Sequence, residues 1–354
     1  MDLTEIELPF RTLEWKADRL TLIDQRALPS KVNYIDYYNY RDIIVAIKNL
    51  TVRGAPAIGA AAGFAMVLAS IEFAKETSND YLGMLRKAAD EIISARPTAV
   101  NLRWAVERIW KAVSSHNNSS VSEKHKLIED EAIAIEQEDK ELCRKIGEYG
   151  AKLIDDGDGV LTHCNAGALA TAGIGTALGV IYTAAFGGKD IKIYSGETRP
   201  IDQGRRLTTW ELAASGLDVT LLCDNMIGSL MRSGKVQEIV VGADRVAANG
   251  DTANKIGTFN IALIADYFDI PFYVAAPYST FDPETPTGED VPIEFRSPEE
   301  IIDIEDYAAI KGSIHVYNAA FDITPHELIA GYITDRGVVK ASEIEQAVLT
   351  PLPD

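Results

Sequence analysis

Val160-Leu-Thr-His-Cys164, Ile191-Lys-Ile-Tyr-Ser195, Val219-Thr-Leu-Leu-Cys223, Ile239-Val-Val241 and Phe272-Tyr-Val-Ala-Ala276 are five short, mostly apolar runs. The 15 to 30 residues between successive runs contain helix-like stretches, among them Ala166–Ala185, Leu207–Ser215 and Lys255–Tyr267. Apolar strands alternating with helices predict a parallel sheet covered on both faces, an α/β fold. Ligands of such sheets sit outside the carboxyl ends of the strands. The residues leaving those ends are therefore the first functional candidates: Cys164-Asn-Ala-Gly167, Gly196-Glu-Thr-Arg199, Asp224-Asn-Met226 and Gly242-Ala-Asp-Arg245.

Upstream of Gly159 the pattern is helical. Ala55–Ala74 is small and apolar, and Tyr81–Ile93 and Leu102–Val113 carry apolar residues at helical spacing. The polar run Ser114–Ser122 reads as a loop or an inter-domain linker. A long helix with Glu/Lys pairs is expected after it, over Glu123–Leu153. At 354 residues, two domains are the default.

Charge narrows the partners. The chain has 34 Lys+Arg against 53 Asp+Glu, a net charge of −19. So acidic a protein is not built for a nucleic-acid backbone or an anionic membrane surface. A small anionic ligand remains open, because a few arginines can reverse the field inside one pocket. Three cysteines make no disulfide framework at this length. No apolar leader is expected, since the first ten residues hold three acids and no base. The longest apolar run, Ala60–Ala69, is shorter than the ~20 residues of a membrane span.

Several constellations carry chemistry. Cys164 ends a strand and precedes a helix-like stretch, where helix amides favour a thiolate; the alternative is a buried, inert thiol. His163 beside it is disfavoured as its activator, because neighbours on a strand face opposite sides. Cys143 and Cys223 read as packing. Asp244, at the end of Ile239-Val-Val-Gly-Ala243, is a ligand group, a general acid or base, or a helix cap, and Asp224 shares that ambiguity. Gly250-Asp-Thr-Ala-Asn-Lys-Ile-Gly257 reads as a polar loop into a helix, a candidate anion cradle with Lys255 as counter-charge. Arg53-Gly-Ala-Pro56 combines a forked cation, a close-approach glycine and a helix start, and Arg96 offers a second cation; surface ion pairs are the alternative for each. Gly173-x-Gly175-x-x-x-Gly179 lies too far after its strand for a dinucleotide turn, so packing explains it better. None of the five histidines sits in a zinc-type cluster, and no metal site is expected.

Val52-Arg-Gly-Ala-Pro-Ala-Ile-Gly59, Arg96-Pro-Thr-Ala-Val-Asn-Leu102, Thr162-His-Cys-Asn-Ala-Gly167, Glu197-Thr-Arg-Pro200, Gln203-Gly-Arg-Arg-Leu-Thr-Thr-Trp-Glu-Leu212, Gly242–Gly257, Val274–Asp282 and Asn318–His326 together resemble the methylthioribose-1-phosphate isomerases of methionine salvage. The resemblance runs from about residue 12 to 340. The same superfamily holds ribose-1,5-bisphosphate isomerases and regulatory subunits of a translation-initiation exchange factor. The resemblance implies a smaller, mainly helical N-terminal domain with a small sheet (1–120), a Rossmann-like catalytic domain (121–354) and a homodimer; the acidic balance favours a cytoplasmic location. It implies Cys164 and Asp244 as the catalytic pair, and substrate binding by Arg53, Gly54, Ala55, Arg96, Gln203, Asn254 and Lys255. The expected ligand is a sugar phosphate, with no metal or organic cofactor. Asp244 is expected to act as an acid, kept protonated by burial in an apolar pocket. Cys164 is expected to act at C2, and Arg53, Arg96 and Lys255 to hold the phosphate. Alternatives are an isomerase of 5-deoxyribose 1-phosphate or ribose 1,5-bisphosphate, and a non-catalytic regulatory subunit.

Overall fold

The computed structural model describes residues 6–76, 80–96, 99–303 and 313–344. The chain forms two compact units. Among the described residues, one holds Glu7–Cys143 together with Gly167–Gly175; the other holds Ile6, Arg144–Ala166 and those from Thr176 onward.

In the first unit, β1 (Leu13–Trp15), β2 (Leu20–Ile23) and β3 (Tyr34–Tyr37) form an antiparallel sheet in that order. Helices α1 (Tyr40–Lys48), α2 (Ala55–Phe73), α3 (Tyr81–Ile93) and α4 (Val100–Ser114) follow, then α5 (Val121–Gly150), whose residues up to Cys143 belong here. Local chemistry marks the helix starts: Asn39 accepts from the Asp42 amide at 2.9 Å, and Asp80 from the Gly83 amide at 3.1 Å. Helix α2 is the core of this unit. It is longer than the apolar run read from the sequence, and it is the one helix among the described residues long and apolar enough to cross a membrane. Every residue from Ala57 to Ser70 is buried, as expected of a core helix that is apolar all round. Phe64, fully buried, stacks on Trp15 with ring centroids 5.0 Å apart.

The expected linker, Ser114–Ser122, is the turn between α4 and α5. The sequence reading divides the domains at 120/121, at the amino end of α5. Packing carries the first unit further, because Ile128, Ala132 and Ile135 of α5 join the core built on α2 and α4.

The second unit is built on a seven-stranded sheet. Its strands are β4 (Gly159–Thr162), β5 (Lys192–Gly196), β6 (Val219–Leu222), β7 (Glu238–Val241), β10 (Phe272–Ala275), β13 (Gly331–Thr334) and β14 (Gly337–Lys340). Their order is β14-β13-β10-β7-β4-β5-β6. All pairings are parallel except β13 with β14. Numbered along the chain, the six parallel strands lie 3-2-1-4-5-6, the doubly wound order, with its switch point between β4 and β7. All five apolar runs are strands. Connecting helices are α6 (Ala177–Phe186), α7 (Thr209–Ala214), α8 (Ile227–Arg232) and α9 (Thr258–Tyr267). Alongside lies a four-stranded sheet, β11-β8-β9-β12, made of Phe281–Asp282, Arg245–Ala247, Thr252–Lys255 and Phe321–Thr324.

Two expected helices are shorter than read. Ala166–Thr176 is loop with a short 3-10 turn, where Gly167, Gly173 and Gly175 interrupt the helix, and α6 starts only at Ala177. Gly179 packs as expected, close to Gly147 of α5, whose added Cβ would lie 2.9 Å from the Gly179 carbonyl. Lys255 closes strand β9 rather than opening α9, which begins at Thr258.

Phe64→Ala removes a ring from the middle of the α2 core. It is expected to lower the unfolding free energy by about 3–5 kcal/mol in a urea titration followed by circular dichroism.

Candidate active site

The carboxyl ends of β4 and β7 flank the switch point, and the chain leaves them through Cys164 and Asp244. Cys164 has φ +62°, a left-handed conformation that costs a non-glycine residue about 1–2 kcal/mol. Such strain persists only where the surroundings impose it, and it clusters at functional sites. Two hydroxyls impose it here. The Cys164 amide donates to Thr198 Oγ1 at 2.9 Å, and Thr208 Oγ1 donates to the Cys164 carbonyl at 2.5 Å. Cys164 itself is half-buried. The expectation of a helix directly after it is not met: α6 starts only at Ala177.

Asp224, ambiguous in sequence, is a structural anchor. Its two carboxylate oxygens accept from the Thr198 and Arg199 amides at 2.9 and 2.8 Å. Next to Cys164, Asn165 is buried and donates to Thr208 Oγ1 at 3.2 Å and to the buried Glu211 at 3.1 Å. His163 is buried and its Nε2 pairs with the Ile256 carbonyl at 2.9 Å. Burial holds its pKa below the ordinary histidine value, so the ring is neutral and Nε2–H is the donor. Its role is to join the β4 end to the turn before α9.

Gln203 opens a π-helical segment, Gly204–Thr208, that continues into α7. Such segments recur at functional sites. Gly204 is required there, since an added Cβ would lie 1.8 Å from the Gly196 carbonyl. Gln203 is buried, and its Oε1 has no hydrogen-bond partner among the described residues. A buried acceptor left open is one that a ligand donor can satisfy.

Asp244 is exposed, so the apolar burial expected for it is not met: it sits where the chain leaves the sheet for the β8–β9 hairpin. Its amide donates to the Ala253 carbonyl at 2.9 Å, where β8 begins to pair antiparallel with β9. Continuing that register sets Asp244 beside Asn254 and one residue from Lys255. Asn254 is buried and donates to Thr258 Oγ1 at 3.0 Å. Lys255 is 8 % exposed; Nζ donates to the Ala320 carbonyl at 2.9 Å and sits 4.4 Å from the Phe321 ring centroid. Among the described residues, no carboxylate pairs with this buried ammonium. The carboxyls of Asp322 and Glu300 lie close enough to feel its charge, so the ammonium is partly balanced within the chain.

The Gly250–Gly257 cradle is corrected. Thr252–Lys255 is a buried strand, and the α9 amino end is already occupied. Asp322 accepts from the Gly257 amide at 2.7 Å and the Phe259 amide at 3.2 Å. Lys255 therefore acts without a helix terminus.

Arg53, Gly54, Ala55 and Arg96 belong to the helical unit. Gly54 caps α2 with φ +92°, and a Cβ there would lie 2.4 Å from the Ala170 backbone, so only glycine fits. Ala55 and Pro56 start the helix, which places Arg53 just before the amino end of a 19-residue helix. That is anion-binding geometry. Arg96 lies half-buried between α3 and α4; the two motif residues after it are outside the described residues. Cys143 is buried as expected, and Cys223 is half-buried at the end of β6. For a metal, Asp251, His326 and Glu327 have ligand atoms within 4.8 Å of one another, but the Asp251 oxygens already accept from Asn249, Gly288 and His326.

Thr198 lay inside the strand-end candidate Gly196-Glu-Thr-Arg199, and Thr208, Glu211 and Asp322 inside the motifs of the resemblance, but sequence reading gave none of them an individual role. The signal for Thr198 was present: it lies two residues beyond the end of β5.

The model of the initiation factor 2 subunit family matches residues 51–341. Methylthioribose-1-phosphate isomerase of Geotalea uraniireducens is 47% identical over 333 residues, 94% of this chain and 96% of the relative. The crystal structure of 5-methylthioribose 1-phosphate isomerase from Pyrococcus horikoshii covers 98% of both chains at 43% identity, with a TM-score of 0.91. A second crystal structure, of translation initiation factor eIF-2B subunit delta from A. fulgidus, covers 94% of this chain and 97% of its own at 45% identity and a TM-score of 0.85. The chain belongs to the initiation factor 2 subunit family, and its resemblance to the methylthioribose-1-phosphate isomerases extends over nearly its whole length.

Burial pushes the Asp322 carboxyl up to about 6, against the two amide bonds and Lys255, which lower it. Folding thus favours its neutral form, and the stability it contributes is lost as pH rises from the ordinary aspartate range through about 6. The unfolding free energy of wild type relative to Asp322→Asn is expected to fall between about pH 4 and pH 7 in paired urea titrations. A difference that rises over this window contradicts the assignment.

Proposed function

We propose that this chain is an aldose–ketose isomerase converting 5-methylthio-α-D-ribose 1-phosphate to 5-methylthio-D-ribulose 1-phosphate. The observation carrying the reading is the pair Cys164 and Asp244 at the switch point of a Rossmann-like sheet, with Cys164 held in a strained turn. Relatives of that name at 47% identity support it.

The chemistry is an internal redox exchange. The phosphate on O1 blocks simple opening to an aldehyde. Cleavage of the bond between C1 and the ring oxygen needs a proton on that oxygen, and Asp244 supplies it. The carboxyl must carry that proton, which substrate lying over the exposed Asp244 favours by excluding water. The hydrogen on C2 moves to C1, either as a hydride or as a proton taken up and returned by Cys164, and the C2 hydroxyl gives its proton to the Asp244 carboxylate left by ring opening, so C2 becomes a ketone and C1 a methylene. Cys164 accepts the C2 proton on an enol route, or steadies the charge at C2 during a direct hydride shift. One carbon is oxidised as its neighbour is reduced, so no external electron carrier is required. Lys255 binds the phosphate, and Gln203 and Asn254 hold sugar hydroxyls; for Arg53, Arg96 and the Gly54 and Ala55 amides the resemblance implies phosphate binding as well. A cytoplasmic homodimer belongs to the same reading.

A non-catalytic regulatory subunit is the second reading, because the initiation-factor structure is as similar in sequence as the isomerase structure. One assay separates them: ketose formation by the purified chain from ribose 1-phosphates bearing methylthio, hydrogen or phosphate at C5. Turnover greatest with methylthio supports the proposal, and no turnover with any of them favours the regulatory subunit. Cys164→Ala and Asp244→Asn are each expected to remain folded and to lose at least ~100-fold in turnover. Near-normal turnover in either variant removes its assigned role. Solvent deuterium at C1 of the product selects the enol route.

A further inference from the structure

We infer that Thr198 is a positioning residue for Cys164, holding it in its left-handed turn, with Asp224 fixing Thr198 from behind. This rests on the isomerase reading of Cys164. Thr198 is fully buried. Its Oγ1 accepts from the Cys164 amide at 2.9 Å and donates onward to the Gly196 carbonyl at 3.3 Å. Thr198 is also left-handed, with φ +65°, and its own amide is bound by Asp224 at 2.9 Å. Thr208 takes the other peptide group of Cys164, its carbonyl, and is itself bound by Asn165.

Both backbone polar groups of Cys164 are thus satisfied by side-chain hydroxyls instead of by sheet or helix. A hydroxyl at 198 is needed because the position must accept from one peptide and donate to another. Valine has the same shape and does neither. Loss of the acceptor frees Cys164 to relax toward ordinary backbone angles, which swings its thiol away from the reacting carbon. A misplacement of this kind costs turnover more than binding, since the residues assigned to the phosphate are elsewhere.

The test compares Thr198→Val, Thr198→Ser and Cys164→Ala, using 5-methylthioribose 1-phosphate. Thr198→Val is expected to lose about 30- to 100-fold in kcat, with KM within about threefold and an almost unchanged melting temperature. Thr198→Ser is expected to recover kcat to within about threefold of wild type. In a Cys223→Ala background, the pH profile of Cys164 alkylation by iodoacetamide should shift in the valine variant and return in the serine variant. Normal kcat in Thr198→Val, or a serine variant as impaired as valine, overturns the inference. Should Thr198→Val not fold, Asp224→Asn takes its place: reduced kcat with a shifted alkylation profile supports the inference, and wild-type values of both overturn it. If Cys164→Ala keeps its turnover, the catalytic reading fails, while the alkylation profile still decides whether Thr198 positions the thiol.

Discussion

Two threonine hydroxyls hold the peptide groups of Cys164, and much of the α/β unit is arranged to put them there. Thr198 follows β5 and Thr208 ends the π-helical segment before α7. Asp224, just after β6, ties down the loop that carries Thr198. Three consecutive strand ends of the doubly wound sheet therefore converge on one strained residue. The strain is sustained because the Thr198 and Thr208 hydroxyls, each fixed by its own segment, hold the two peptide groups of Cys164 in place.

The other side of the switch point is built differently. Asp244 stands in solvent at the start of the β8–β9 hairpin, whose next residues, Asn254 and Lys255, are buried. A net charge of −19 describes the whole surface and not this strand. The Lys255 ammonium is covered by an aromatic ring and a carbonyl, so its charge is poorly screened where it sits. An acidic protein can in this way offer a cationic point to a phosphate while repelling polyanions.

Sequence reading found the elements whose physics is local. The five apolar runs became strands because a sheet covered on both faces needs continuous apolar side chains. Helix α2 was legible as the small, apolar stretch Ala55–Ala74, which matches its bounds to within a residue, because a helix buried all round needs apolar side chains on every face. The small sheet escaped notice: Thr252-Ala-Asn-Lys255 and Arg245-Val-Ala247 are too short and too polar to signal strands, and only pairing with each other and with β11 and β12 makes them so. The Gly250–Gly257 segment was misread as a polar loop cradling an anion before a helix because Asp322, which fills that end of α9, lies 65 residues further on.

Length, patterning and the residues at strand ends determined by themselves the fold class, the sheet and the candidacy of Cys164 and Asp244, because strand periodicity and burial are properties of short segments. Tertiary structure alone decided the sign of the Cys164 backbone angle, the exposure of Asp244, the anchoring role of Asp224 and the occupant of the α9 amino end. Each of these depends on hydrogen bonds or burial set by residues remote in the chain, and no local pattern encodes which hydroxyl or carboxylate will arrive.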